Sequence, residues 1–237
     1  MARFVLIHGS WLGAWCWREI LPRLAAHGHQ VVAPDLPSHG KDRTPPESVT
    51  FQDYVDCTLA AVHASQDAPI LVGHSMGGAI IRQAAGLAPD RIRALVSIAA
   101  LLPAPGATML SFVEGFDPDY LAQILWAPDR RTARLSLEGV SQFLCPGCST
   151  PVVESVLPLL TPEPVAPYDS PLFFNASNAL SYYIECLQDR IVPIGLQRTM
   201  HADVPADRVY SLASGHVPHL SIPDQLVLIL QKIAGRS

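Results

Sequence analysis

The sequence predicts an α/β fold, a mostly parallel six-stranded sheet flanked by helices, and three observations carry that expectation. Short β-branched apolar runs alternate with longer helical patterns, the arrangement that buries a parallel sheet under helices. The 237 residues suit one compact domain with room for an insertion. Apolar residues make up 49% of the chain and charged ones only 16%, so much of it is buried or lines an apolar cavity.

The strand candidates are Arg3 to Ile7, Gln30 to Pro34, Ile70 to Gly73, Ala94 to Ile98, Ser181 to Cys186 and Arg208 to Leu212. Helical periodicity runs over Trp15 to Ala26, stopped by His27-Gly28, and over Phe51 to Ala64, Ser75 to Leu87 and Asp224 to Ile233. With a first strand at Arg3, a minimal six-stranded core is expected. The alternation fails from about Leu102 to Ser177, where half of the 22 prolines gather. That interval also carries Phe112, Phe116, Tyr120, Leu125, Trp126, Phe143, Phe173 and Phe174, too many large apolar groups for a disordered linker. The expected organisation is a core in two parts, 1–101 and 178–237, with a folded cap inserted over 102–177.

Composition excludes several function classes. A formal charge of -5, with Lys41 and Lys232 the only lysines, leaves no basic field for nucleic acid or anionic lipid. The charge-free stretch from Ala94 to Val113 is broken by Pro103, Pro105 and Gly106, which suits a strand running into a loop better than a membrane span. The apolar run at the N-terminus is too short for a signal peptide, so a cytoplasmic protein is expected. Five cysteines, an odd number, argue against a disulfide framework. Cys145-Pro146-Gly147-Cys148 reads as a tight turn, and no metal or cofactor is expected.

The chemistry-bearing signal is Gly73-His74-Ser75-Met76-Gly77, a G-x-S-x-G between a strand and a helical stretch. Such a turn strains the serine and presents its hydroxyl at the C-terminal edge of the sheet, and the glycines remove side chains that would collide. A serine needs a base, and the base needs an orienting carboxylate. His216, in Ser214-Gly215-His216, follows the last strand candidate, and Asp189 follows the one before it. His201 and His219, and Asp203 and Asp207, are weaker rivals by position. For a developing oxyanion, the backbone N–H of Met76 is one donor and that of Ser10, in the turn after the first strand, is the second.

With these motifs the chain resembles the α/β-hydrolases, and within them the branch of plant methylesterases, plant hydroxynitrile lyases and related bacterial esterases. The resemblance rests on His8-Gly9-Ser10-Trp11-Leu12-Gly13-Ala14-Trp15-Cys16-Trp17, Ala33-Pro34-Asp35-Leu36-Pro37-Ser38-His39-Gly40, the serine motif through Gly78, Tyr183 to Asp189 with Gln197, and Ser214-Gly215-His216. It implies a structural role for Asp35 and His39. It also separates two chemistries: lyases of this type carry a hydroxyl or amide after the first-loop histidine, and the best-known carry a lysine after the catalytic one. Gly9 and Val217 stand there, which is the esterase pattern at position 9. Ser75 excludes a dehalogenase, which needs a carboxylate nucleophile.

The expected activity is a serine hydrolase acting on a small-to-medium hydrophobic carboxylic ester, methyl esters among the candidates, in a monomer or homodimer. A lactone or thioester suits the same groups, and lyase or low-turnover ligand-binding readings stand further off. Trp11, Phe112, Trp126, Val217 and the Met76 side chain are expected to shape an apolar pocket.

Overall fold

The structure is a computed structural model that describes residues 1–173, 177–204 and 206–236. Phe174, counted above among the aromatics of the insertion, lies outside the described residues.

The first half alternates as expected: β1 (Arg3–Ile7), α1 (Ile20–Ala26), β2 (Gln30–Val32), α2 (Phe51–His63), β3 (Ile70–His74), α3 (Met76–Leu87) and β4 (Ala94–Ile98). The segment after β4 holds α4 (Pro118–Leu121), β5 (Ile124–Trp126), β6 (Thr132–Leu135), α5 (Leu137–Gly139), α6 (Thr150–Val156) and β7 (Glu163–Pro164). The chain then returns through β8 (Leu180–Cys186), α7 (Ile194–Asp203), β9 (Arg208–Leu212), α8 (Pro218–Ser221) and α9 (Pro223–Ala234).

The main sheet has six strands in the order β2-β1-β3-β4-β8-β9, every pair parallel. All five residues of β1, β3 and β4 are buried, because helices cover both faces of a parallel sheet. Edge strand β2 spans three residues with two exposed. α1 packs against α9 and α2 against α3. With right-handed crossovers, the reversal of direction after β2 puts these pairs on opposite faces.

That reversal positions the site. β1 is followed by β2 on one side, whereas β3 lies on its other side, so the loops after β1 and β3 diverge and leave a crevice at the strand C-termini. Ile7 pairs with Gly73, which sets His8 to Trp11 beside His74 and Ser75. Cys186 pairs with Leu212, which brings the loops bearing Asp189 and His216 side by side.

The helical stretch read over Trp15 to Ala26 is in fact a 3₁₀ turn at Ala14–Trp17 followed by α1. The third helix starts at Met76, one residue late, because Ser75 has φ +54°. Between β4 and β8, β5, β6 and β7 form a small antiparallel sheet, at two to four residues per strand too short for an alternation signal. Among the described residues no helix is long and apolar enough to cross a membrane.

Candidate active site

Ser75 is the last residue before α3 and sits at φ +54°, ψ -120°, a conformation that costs a non-glycine residue roughly 1–3 kcal/mol. The strain is locked in from both sides. Ser75 N–H donates to the Ile98 carbonyl at 3.1 Å, and its carbonyl accepts from Gly78 and Leu101 N–H at 3.0 Å each. The motif glycines are required by close approach: a Cβ on Gly73 would lie 2.3 Å from the Gly77 carbonyl oxygen, and one on Gly77 would lie 2.7 Å from that of Ile7. Both obstacles are backbone and cannot rotate away. Gly77→Ala should therefore cost about 1–3 kcal/mol, read as a lower urea midpoint with an unchanged slope.

Asp189 and His216 meet as the sequence suggests. The imidazole Nδ1–H donates to Asp189 Oδ2 at 2.7 Å, and both residues are buried. Asp189 Oδ1 accepts from Ile191 and Val192 N–H at 2.8 and 3.0 Å, so the carboxylate is held by two backbone donors as well. Gln197 braces this loop: its amide nitrogen donates to the Cys186 and Val192 carbonyls, and its oxygen accepts from Cys186 N–H. His74 Nε2–H donates to the His216 carbonyl at 2.7 Å, tying the base to the residue before the serine. Among the described residues no hydrogen bond joins the Ser75 hydroxyl to His216, although both line one cavity; such contacts often tighten only with substrate bound. Two of the rivals are engaged elsewhere: His201 faces Glu185 at 3.0 Å, and Asp207 accepts from Ser181 N–H at the far end of β8.

The turn after β1 lies against the serine. A Cβ on Gly9 would sit 2.9 Å from Ser75 Cβ, so position 9 has no room for a side chain. The Ser10 and Met76 N–H groups meet no protein acceptor among the described residues. The Ser10 hydroxyl is hydrogen-bonded to Tyr168. Trp11 has φ +60°, and its N–H donates to Glu163 Oε2 at 2.7 Å, its indole N–H to the Ala133 carbonyl at 3.2 Å, while its carbonyl accepts from Thr161 N–H at 3.0 Å.

Glu163 also contacts His39, Oε2 to Nε2, at 2.9 Å. His39 Nδ1 is 2.9 Å from the Pro37 carbonyl, which can only accept, so Nδ1 carries a proton. A second proton must then lie between Nε2 and Oε2, and the pair is neutral overall on whichever partner it resides. Burial pulls His39 down, but the Glu163 carboxylate outweighs it and holds the imidazole above its ordinary value. The other buried imidazoles move the opposite way. Burial, with His39 beside it, pushes His8 down to about 3; burial and the neighbouring His216 push His219 to about 3 and His74 well below the usual range. Leu36 N–H donates to His8 Nε2, which fixes a neutral tautomer there.

Above Ser75 and His216 lies a cavity of about 310 Å³. Trp11 and Trp126 are in its wall, as expected, joined by Val113, Phe116, Tyr120 and Tyr168 from the 102–177 segment. Three expectations need correction. Phe112 is outside the lining, because in the 3₁₀ turn Met109–Gly115 it is Val113 and the following Phe116 that reach the cavity. Val217 is buried, 1% exposed, where the chain turns into α8, and does not line the cavity. The Met76 side chain is in the core and does not line the cavity. Glu163 lines the cavity and was not foreseen: on a two-residue strand between prolines it carries no periodic signal.

The pattern of the alpha/beta hydrolase family matches residues 4–227. The chain belongs to this family. As an alpha/beta hydrolase it is 29% identical to Methylesterase 7 of Arabidopsis thaliana, over 99% of this chain and 96% of that protein. It is 31% identical to a pyrethroid hydrolase of Sphingobium wenxiniae, over 94% of this chain and 84% of the relative. The crystal structure of a pyrethroid hydrolase from Sphingobium faniae superposes with a TM-score of 0.87 at 28% identity, covering 99% of this chain and 97% of that one.

Proposed function

We propose that this alpha/beta hydrolase cleaves a small-to-medium hydrophobic carboxylic ester, methyl esters among the candidates, through Ser75, His216, Asp189 and an acyl-enzyme. One observation carries the reading: a serine on a strained strand-to-helix turn shares an apolar cavity with an imidazole that is held at 2.7 Å by a buried carboxylate. The names of its relatives, a methylesterase and a pyrethroid hydrolase, agree with an ester substrate.

Ser75 Oγ attacks the ester carbonyl as His216 Nε2 takes its proton, and Asp189 fixes the tautomer and stabilises the imidazolium. Ser10 and Met76 N–H groups, which meet no protein acceptor among the described residues, receive the oxyanion. His216 then protonates the leaving alcohol, and a water deprotonated by the same imidazole releases the acid. The 102–177 segment acts as a cap whose aromatic groups hold the apolar part of the ester. Against lyase chemistry, position 9 has no space for a polar side chain, and Val217 does not line the cavity.

A panel of methyl and p-nitrophenyl esters of graded acyl length, with lactones and one anionic ester, tests this. Turnover should rise with acyl length until the cavity is filled and then fall, and the anionic ester should be at least about tenfold slower because the wall has no Lys or Arg among the described residues. Failure to turn over any ester or lactone, with Ser75 still reactive to a fluorophosphonate, would favour a ligand-binding protein instead.

A further inference from the structure

The strained residue of the oxyanion turn is anchored almost wholly by the cap. Trp11 N–H, indole N–H and carbonyl go to Glu163, Ala133 and Thr161, and Ala133 and Glu163 are paired neighbours on β6 and β7. An apolar residue at 163 would suit the cavity wall, and burying a carboxylate there is unfavourable unless it does something a hydrocarbon cannot. What it does is accept the N–H of a tryptophan at φ +60°, a backbone an aromatic residue rarely adopts. A bare carboxylate so near the oxyanion would repel it, but the proton shared with His39 leaves the pair neutral.

We propose that Glu163, neutralised by His39, is a positioning residue for the oxyanion hole: by pinning the Trp11 N–H it fixes the Ser10–Trp11 turn and aims the Ser10 N–H at the developing oxyanion. With Trp11 held by Glu163 and the Ser10 hydroxyl held by Tyr168, the Ser10 N–H is left to the substrate. This rests on the serine esterase reading above. It adds that the cap serves catalysis as well as recognition, since its β6–β7 pair holds one of the two donors in place.

The test separates oxyanion binding from pocket shape. Wild type, Glu163→Leu and Glu163→Gln are compared for kcat/KM on the best ester of the panel and for inhibition by an alkyl boronic acid, which forms a tetrahedral adduct with the serine. The parent alcohol, which occupies the cavity but places no charge in the hole, is the third ligand. Glu163→Leu should lower kcat/KM and boronate affinity in step, by about 10²-fold, with alcohol binding changed less than about threefold. Glu163→Gln, whose amide oxygen still accepts the Trp11 N–H but without the charge, should lose about three- to tenfold in both, still in step. It carries the test alone if the leucine variant does not fold. Equal weakening of all three ligands, or a boronate held as tightly as by wild type, overturns the proposal. Ser75→Ala runs alongside: if it keeps full activity and boronate binding, the serine mechanism has failed, a result distinct from the failure of the Glu163 assignment.

Discussion

Replacing Ser75 with alanine is expected to lower ester turnover roughly 10⁴–10⁶-fold while leaving the thermal midpoint within a few degrees of wild type. The size follows from the mechanism: without Oγ there is no acyl-enzyme, and the remaining groups can only polarise the carbonyl toward water. The fold should be untouched because the contacts that lock the turn are made by the Ser75 backbone, to Ile98, Gly78 and Leu101, and alanine keeps them all. Asp189→Asn should behave differently. The side chain amide can still accept from Ile191 and Val192 N–H through its oxygen, but it would face the imidazole with its NH₂, favour the wrong tautomer and cost about 10³–10⁴-fold in kcat. Parallel measurement of kcat, KM and melting for both variants checks the pair; a Ser75→Ala enzyme within tenfold of wild type would remove the serine from the mechanism.

The second large effect is loss of stability in mild acid. His8, His74 and His219 are fully buried and held far below the value near 6.5 that each takes in the unfolded chain. Between the two values the unfolded chain binds the extra protons, so stability is full above about pH 6.5 and falls as the pH drops. Each group contributes a slope of about 1.4 kcal/mol per pH unit, and three together about 4, enough to consume a typical domain's stability within two to three units. His39 acts in the opposite sense: held above its ordinary value, it adds stability below about pH 6.5 that is lost as the pH rises through its folded value. The optimum therefore lies near neutrality. Urea midpoints from pH 8 to pH 4.5 check this. His219 is the diagnostic position, since neither ring nitrogen has a hydrogen-bond partner among the described residues. His219→Phe should flatten the acid limb by about one proton, and an unchanged slope would mean that His219 does not titrate on unfolding.

The two halves of the molecule differ in what their sequence discloses. β1, β3 and β4 are buried on both faces, so each is an apolar run, and the glycines around the ends of β1 and β3, Gly9, Gly73 and Gly77 in the first turn of α3, record close approaches that leave no room for a Cβ. Ser75 follows such a run, whereas Asp189 and His216 were legible only by their place after β8 and β9, the latter mostly exposed. The cavity wall was not. It is built from strands and turns of two to seven residues, whose facing directions are set by tertiary contacts, so Phe112 and Phe116 are equivalent in the sequence although only Phe116 lines the cavity. Val217 was misplaced because the chain enters α8 immediately after His216, with Leu220 and Ser221 N–H bonded to its carbonyl. Glu163 and His39 lie 124 residues apart and acquire meaning only when the fold joins them.

The Ser75 nucleophile is tested most directly by intact-mass and peptide-level analysis after reaction with a fluorophosphonate. One adduct per chain is expected, on the peptide that contains Ser75, formed in step with loss of ester turnover and prevented by Ser75→Ala. Full turnover with Ser75 stoichiometrically modified, or an inactivating adduct on any other residue, would contradict it.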